Sequence, residues 1–256
     1  MSPRAGTATT IGHAPYRLLN PAGAGNFVVI CDHASNAVPA ELGDLGLGAA
    51  DLQRHIAWDI GAAGVTELVA KRFDAPAVLC GTSRLVVDCN RYPDDPTAIP
   101  EVSDGTRIPA NESLPAEIRN ARVRRYFDPY HAAIAEAIEA ALAAGRRPVI
   151  LAIHSMTPEM GGRFRPWQIT VSSGADRRLA DPMLAALRRV AGIAVGDNQP
   201  YALDPAEDYS VPVHAVRRGL LHLQIEFRQD EISSLAGIAR WAAIFNEALE
   251  LTLASV

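Results

Sequence analysis

Two histidines, His33 and His154, each follow a short continuous run of apolar residues, at 27–31 and 148–153. Runs of this kind read as strands buried on both faces. Both imidazoles are therefore expected at strand ends, held by rigid backbone. Imidazoles so placed suit zinc, which takes nitrogen and carboxylate ligands and keeps one position open when catalytic. The plainer alternative is that each caps its neighbours' backbone. A third ligand should be a carboxylate or another histidine. Asp59 lies among Ile56, Ala57, Trp58, Ile60 and Gly61, an apolar setting in which a charge needs a partner. A cation is one answer; hydrogen bonds from a loop backbone are another. His55 precedes Asp59 by four residues, which on a helix puts both on one face.

Glu226 is the strongest single signal, a carboxylate inside the apolar strand-like run 220–227. With a period of two, Gln224, Glu226 and Arg228 share one face, and Leu223, Ile225 and Phe227 the other. A carboxylate in that position is a candidate general base for a hydrolytic water. Its alternative is an ion pair with Arg228 on an exposed edge, worth little. Arg84, Asn90 and Arg91 flank 85–87, and the planar guanidinium fork fits carboxylates. That cluster suits an acidic substrate, or else structural salt bridges with Asp88, Asp94 or Asp95. Other catalytic templates are absent: no G-x-S-x-G, H-E-x-x-H, Walker A or G-x-G-x-x-G occurs. A Cys31–His33 nucleophile is disfavoured, because an apolar strand interior keeps a thiol inert.

The elements that must position these residues alternate between strand and helix. Residues 1–25 read as an extended lead-in and 26–256 as a single α/β hydrolase-type catalytic domain. Strands are expected at 27–31, 77–80, 85–88, 148–153, 167–172 and 220–227, and helices at 49–72, 115–144, 178–190 and 235–253. Pro129 should kink or break the second helix. Residues 92–115 and 196–213 read as long irregular loops, which in compact domains are usually functional. The pattern predicts an α/β fold with a mixed, largely parallel central sheet and helices on both faces. Ligands in such sheets gather beyond the carboxyl ends of the strands. His33, Asn90, Arg91, His154 and Glu226 should therefore converge.

Composition narrows the function classes. The 256 residues are 48% hydrophobic and 21% charged, an ordinary globular balance, and a net charge of −5 gives no general attraction to nucleic acid or anionic membrane. Three cysteines, Cys31, Cys80 and Cys89, cannot all pair within the chain and read as buried free thiols in a reducing compartment. Neither a signal-like apolar core nor a stretch of about 20 apolar residues occurs. A soluble cytoplasmic protein with a small-molecule partner is expected.

Six segments carry a family resemblance. They are V-I-C-D-H-A-S-N-A-V-P (29–39), H-I-A-W-D-I-G-A (55–62), S-R-L-V-V-D-C-N-R (83–91), I-H-S-M-T-P (153–158), R-P-W (165–167) and L-Q-I-E-F-R (223–228). In this order, over about 26–240, they resemble the N-formylglutamate amidohydrolase family, within the wider group of carboxypeptidase-like zinc hydrolases. The resemblance implies one catalytic zinc, His33 and His154 as ligands, and Glu226 as general base. It also implies Arg84, Asn90 and Arg91 around the substrate's carboxylate and scissile carbonyl. In the wider group the first histidine is followed three residues later by a glutamate ligand; here that position is Asn36. Asp59 is taken as the substitute third ligand, with Asn36 as second choice because a neutral amide binds zinc less well. Arg165, and Tyr209 and His214 in a loop that also resembles the family, are expected to contact substrate. The implied activity is zinc-dependent hydrolysis of an N-formyl or N-acyl amino acid, N-formylglutamate-like. The alternatives are a peptide or polyglutamate tail as substrate, or a metal-free protein that binds a carboxylate metabolite.

Overall fold

The computed structural model describes residues 13–255. Its centre is a seven-stranded sheet built from β1 (Tyr16–Leu19), β2 (Phe27–Cys31), β3 (Ala77–Cys80), β6 (Val149–Met156), β9 (Ile169–Ser172), β10 (Val195–Asp197) and β11 (His222–Arg228). The spatial order is β1-β3-β2-β6-β11-β9-β10. The four central strands β3, β2, β6 and β11 run parallel, so their carboxyl ends share one edge. β1 pairs antiparallel with β3, and β9 antiparallel with β11, which makes the sheet mixed. Both stretches read as irregular loops hold some structure: 92–115 contains the hairpin of β4 (Val102–Ser103) and β5 (Thr106–Arg107), and 196–213 begins in β10 and ends in the helix α5 (Ser210–His214). The extended lead-in contributes β1, its residues 1–12 lying outside the described residues.

Burial explains why the central strands are uniformly apolar. Val29, Leu151, Leu223 and Ile225 face one core with α1 (Ala62–Arg72), α4 (Ala180–Leu187) and α6 (Leu235–Leu253). Val28, Ile30, Ile150 and Ala152 face a second core with α3 (Asp128–Ala143) and the buried segment 85–87. A strand covered on both sides has no solvent face to make polar. The break near Pro129 is present: α2 (Ala116–Arg122) passes through a π-turn at Val123–Phe127 into α3, with the proline in the first turn, where no N–H is required.

One expected element forms only in part and another does not form. The helix foreseen over 49–72 is helical only from Ala62; before it lie a 3-10 turn at Asp51–Gln53 and an irregular stretch. Gly61 starts α1 with φ 82°, and a Cβ there would stand 2.2 Å from the Ile232 carbonyl oxygen, so the chain turns where only glycine fits. The Asp59 N–H bonds the His33 carbonyl at 2.9 Å and not a preceding helical turn. His55 and Asp59 therefore share no helix face. Residues 85–88 form no strand either: Val86 N–H bonds Ser83 and Asp88 N–H bonds Ala98, a buried turn below the cleft. The cysteines are free and buried, with Cys80 and Cys89 sulfurs 3.5 Å apart. No helix among the described residues is long and apolar enough to cross a membrane.

Candidate active site

A cleft of about 720 Å³ opens at the carboxyl edge of the central strands. His33, Asp59, Arg84, Asp88, His154 and Glu226 all line it, so the convergence expected from the strand ends occurs. His33 lies two residues beyond the end of β2, while His154 and Glu226 sit in register on the neighbouring strands β6 and β11.

His33, Asp59 and His154 are buried and present donor atoms within 4.8 Å of one another. Asp59 Oδ2 lies 3.4 Å from His33 Nδ1 and 3.0 Å from His154 Nδ1. Bonds of about 2.0–2.1 Å to a tetrahedral zinc place two ligand atoms about 3.3 Å apart, so these spacings fit a shared ion. His33 Nδ1 has no hydrogen-bond partner despite the nearby carboxylate, which leaves it open to a cation. The far nitrogens each face another aspartate: His33 Nε2 hydrogen-bonds Asp88 Oδ1 at 2.7 Å, and His154 Nε2 stands 3.2 Å from Asp32 Oδ2, an ion-pair distance without hydrogen-bond alignment. A carboxylate behind each ligating imidazole is the usual support of a zinc site. The donor set fits the ion.

The electrostatics point the same way. Burial and Arg84 oppose protonation of His33, but Asp88 and Asp59 outweigh them and raise its pKa. Burial likewise opposes charge on His154, yet Asp32 and Asp59 raise it well above the ordinary value. Burial alone would raise Asp59, and the two imidazoles pull it far down. Asp32 is held at about 2 by His154 against its burial. Without an ion, three aspartates favour the protonated form of both imidazoles, so a divalent cation would compete with protons for them.

Glu226 stands apart from this network. It accepts no hydrogen bond from a described residue, and Arg228 bonds Asp230 and Glu231 instead, which removes the ion-pair alternative. Burial raises its carboxyl to about 7, partly offset by His154. A base poised near neutrality suits proton transfer. Arg84 spends Nε and Nη2 on Asp88 Oδ2, at 3.0 and 2.7 Å, leaving Nη1 3.5 Å from Asp59 Oδ1. The structural partner foreseen for Arg84 in Asp88 is thus real, and it links Arg84 to His33.

The remaining candidates are placed less uniformly. Asn36 turns its amide away, donating to the Leu52 carbonyl at 2.8 Å. Asn90 donates to Asp208 Oδ1 and accepts from the N–H groups of Tyr209 and Ser210, so both ends of its amide hold the 208–210 turn. Arg91 lines the cleft but is tied to the same Asp208 oxygen at 3.2 Å. Arg165 lines the cleft with no such counter-charge. His55 reaches the cleft beside Asp104, at 3.3 Å. Tyr209 and His214, expected to contact substrate, lie outside it. Tyr209 is wedged among Tyr92, Phe127 and His131, and His214 Nε2 sits 2.9 Å from His131 Nδ1. Aromatic packing and the imidazole pair engage them. Sequence reasoning missed Asp32, Asp208 and Tyr201; for Asp32 the signal was a carboxylate at the end of an apolar strand, next to His33.

A mixed sheet with paired imidazoles, carboxylates and an arginine gathered at the carboxyl edge of its parallel central strands defines a hydrolase-type site. The family model of N-formylglutamate amidohydrolase matches residues 25–233, and the chain belongs to that family. It is an amidohydrolase. Among solved structures it is similar to gene product Atu2144 from Agrobacterium tumefaciens, at 38% identity over 94% of this chain and 95% of that one, with a TM-score of 0.90. It is also similar in fold to N-formylglutamate amidohydrolase from Ralstonia eutropha JMP134, at 21% identity over 94% and 98%, with a TM-score of 0.66. No curated protein matches this sequence.

Proposed function

We propose that this protein is a zinc-dependent amidohydrolase that cleaves an N-formyl or N-acyl amino acid. The observation that carries the reading is a single cleft in which His33, Asp59 and His154 form a cation-seeking triad beside a Glu226 carboxylate that no other group uses. Family membership supports the amide as the scissile bond.

His33, Asp59 and His154 would hold the ion, with Asp88 and Asp32 orienting the imidazoles. When bound, zinc supplies Lewis acidity that polarises the amide carbonyl and acidifies water. Glu226 takes the proton of the attacking water and returns it to the leaving amine, which its elevated pKa allows at neutral pH. Arg84 Nη1, left over from the Asp88 pairing, donates to the oxygen that gains charge as the carbonyl becomes tetrahedral. The Arg84–Asp88–His33 chain fixes that donor relative to the ligand. Burial of the whole network strengthens these interactions.

The test is metal analysis together with hydrolysis of a panel of N-formyl and N-acetyl amino acids, with and without a chelator. Stoichiometric zinc and chelator-sensitive release of free amino acid are expected. Metal-free protein that turns over the panel, or zinc-loaded protein that turns over none of it, overturns the reading.

A further inference from the structure

The arginines of the cleft differ in whether their charge is already used. Arg84 is paired with Asp88, and Arg91 with Asp208. Asp208 is itself fixed, because Oδ1 also accepts from Asn90 and Oδ2 from the Asp204 N–H. The Asn90–Arg91 pair is therefore closed by the protein's own carboxylate. Arg165 is not paired in this way: among the described residues no carboxylate lies within 4.0 Å of it, and the Glu226 carboxylate acts on it only through a longer-range attraction.

Arg165 is nonetheless more than nine-tenths buried. Its Nη2 donates to Tyr201 Oη at 2.6 Å and approaches Met160 Sδ at 3.1 Å, while the guanidinium lies 5.1 Å from the centre of the Tyr201 ring. These neighbours hold the cation without neutralising it. Nε and Nη1 donate to no described residue. The backbone is fixed at the foot of the hairpin formed by β7 (Glu159–Met160) and β8 (Arg163–Phe164). Its N–H bonds the Pro158 carbonyl, and its own carbonyl accepts from Arg228. A largely buried guanidinium without an ion-pair partner, whose free N–H groups face an open cleft, is stabilised when a ligand supplies the charge.

The surroundings limit how much negative charge can enter. Asp95, Asp204 and Glu207 line the same cleft with no basic partner within 4.0 Å among the described residues, and would repel a second anion. Beside Arg165 in the cleft, Tyr201 is 46% exposed and Met160 36%, an apolar rim that an uncharged group would cover.

We infer that Arg165 is the carboxylate-binding residue of this cleft, and that its substrates are N-acyl amino acids with one carboxylate and an uncharged side chain, not dicarboxylates. This rests on the amidohydrolase reading above for the scissile bond, and on Arg165 alone for the anion.

Two comparisons test it by kcat/KM: N-formyl-L-methionine against its carboxamide, and N-formyl-L-glutamine against N-formyl-L-glutamate. In the wild type, loss of the α-carboxylate should cost about tenfold or more, the worth of a charge-assisted pair. In Arg165→Met that penalty should shrink to about twofold, with Arg165→Lys in between because it keeps charge but not the fork. Glutamine should be processed at least as well as glutamate. A carboxylate penalty that survives in Arg165→Met, or a clear preference for glutamate, overturns the inference. Should Arg165→Met fail to fold, the wild-type preference between glutamine and glutamate and the Arg165→Lys penalty decide it by the same criteria. Should the wild type hydrolyse nothing, the amidohydrolase reading falls and the anion site is judged by calorimetry with hexanoate and glutarate. Hexanoate binding weakened about tenfold in Arg165→Met, with glutarate no tighter than hexanoate, supports the site. Equal hexanoate binding by both proteins, or no binding by the wild type, refutes it.

Discussion

Replacing Glu226 by glutamine separates the chemistry of this cleft from its stability, because the two effects have opposite signs. Glutamine keeps the size of the side chain and an acceptor oxygen but cannot take a proton from water. Loss of a positioned base should lower kcat by about 10²–10⁴-fold in zinc-loaded protein. The stability effect follows from burial, which raises the carboxyl from 4.5 to about 7. Holding it ionised in the folded state thus costs about 3 kcal/mol. Below pH 4.5 the group is neutral in folded and unfolded chains, and the cost is absent; it grows as pH rises towards 7 and is full above that. Glutamine carries no such cost. At pH 8, chelator-treated Glu226→Gln should therefore melt above chelator-treated wild type. The gain is up to about 3 kcal/mol, or about 6–12 °C for a chain of this size, closing towards pH 4. Thermal melts from pH 4 to 8, with kcat and bound metal measured on the same preparations, read both effects. Normal kcat in the metal-loaded variant would refute the assignment of Glu226 as base. A variant less stable than wild type at pH 8 would refute the reasoning from burial.

Three further outcomes are expected. His33→Ala should abolish stoichiometric zinc binding by elemental analysis, and unchanged metal content would remove His33 from the ligand set. Asp88→Asn weakens the support behind His33 Nε2 and should lower zinc affinity about 10–100-fold in competition with a chromophoric chelator; wild-type affinity would make Asp88 purely a partner of Arg84. His131 and His214 are buried and neutral, held by burial at about 4 and about 3. Their contribution to stability is full above the ordinary 6.5 and is lost as pH falls from there towards 4, so His214→Leu should lessen the drop in melting temperature between pH 7 and 5, and an unchanged pH profile would contradict it.

Much of the site was legible before any coordinates because its residues are punctuation in apolar text. His33 and His154 close or end runs that only a doubly covered strand would carry, and Glu226 interrupts another. Such runs are local, and the rule that ligands gather at the carboxyl ends of parallel strands turns local ends into one place. The break at Pro129 was legible for the same local reason, a missing N–H. The helix assigned to 49–72 failed because its apolar spacing satisfies a helix, while Gly61 and the Asp59–His33 backbone bond draw the chain into a turn instead. That turn presents Asp59 to both imidazoles. The partners of the charged groups were decided only in three dimensions: Asp208 lies 117 residues from the Arg91 it neutralises, and Ser210 lies 178 from the Asp32 it bonds. Sequence thus determined which side chains stand at the sheet's edge, since strand burial is written residue by residue. Which of those charges remain free for a ligand depends on contacts between distant segments, and these form only when the loops pack over the sheet.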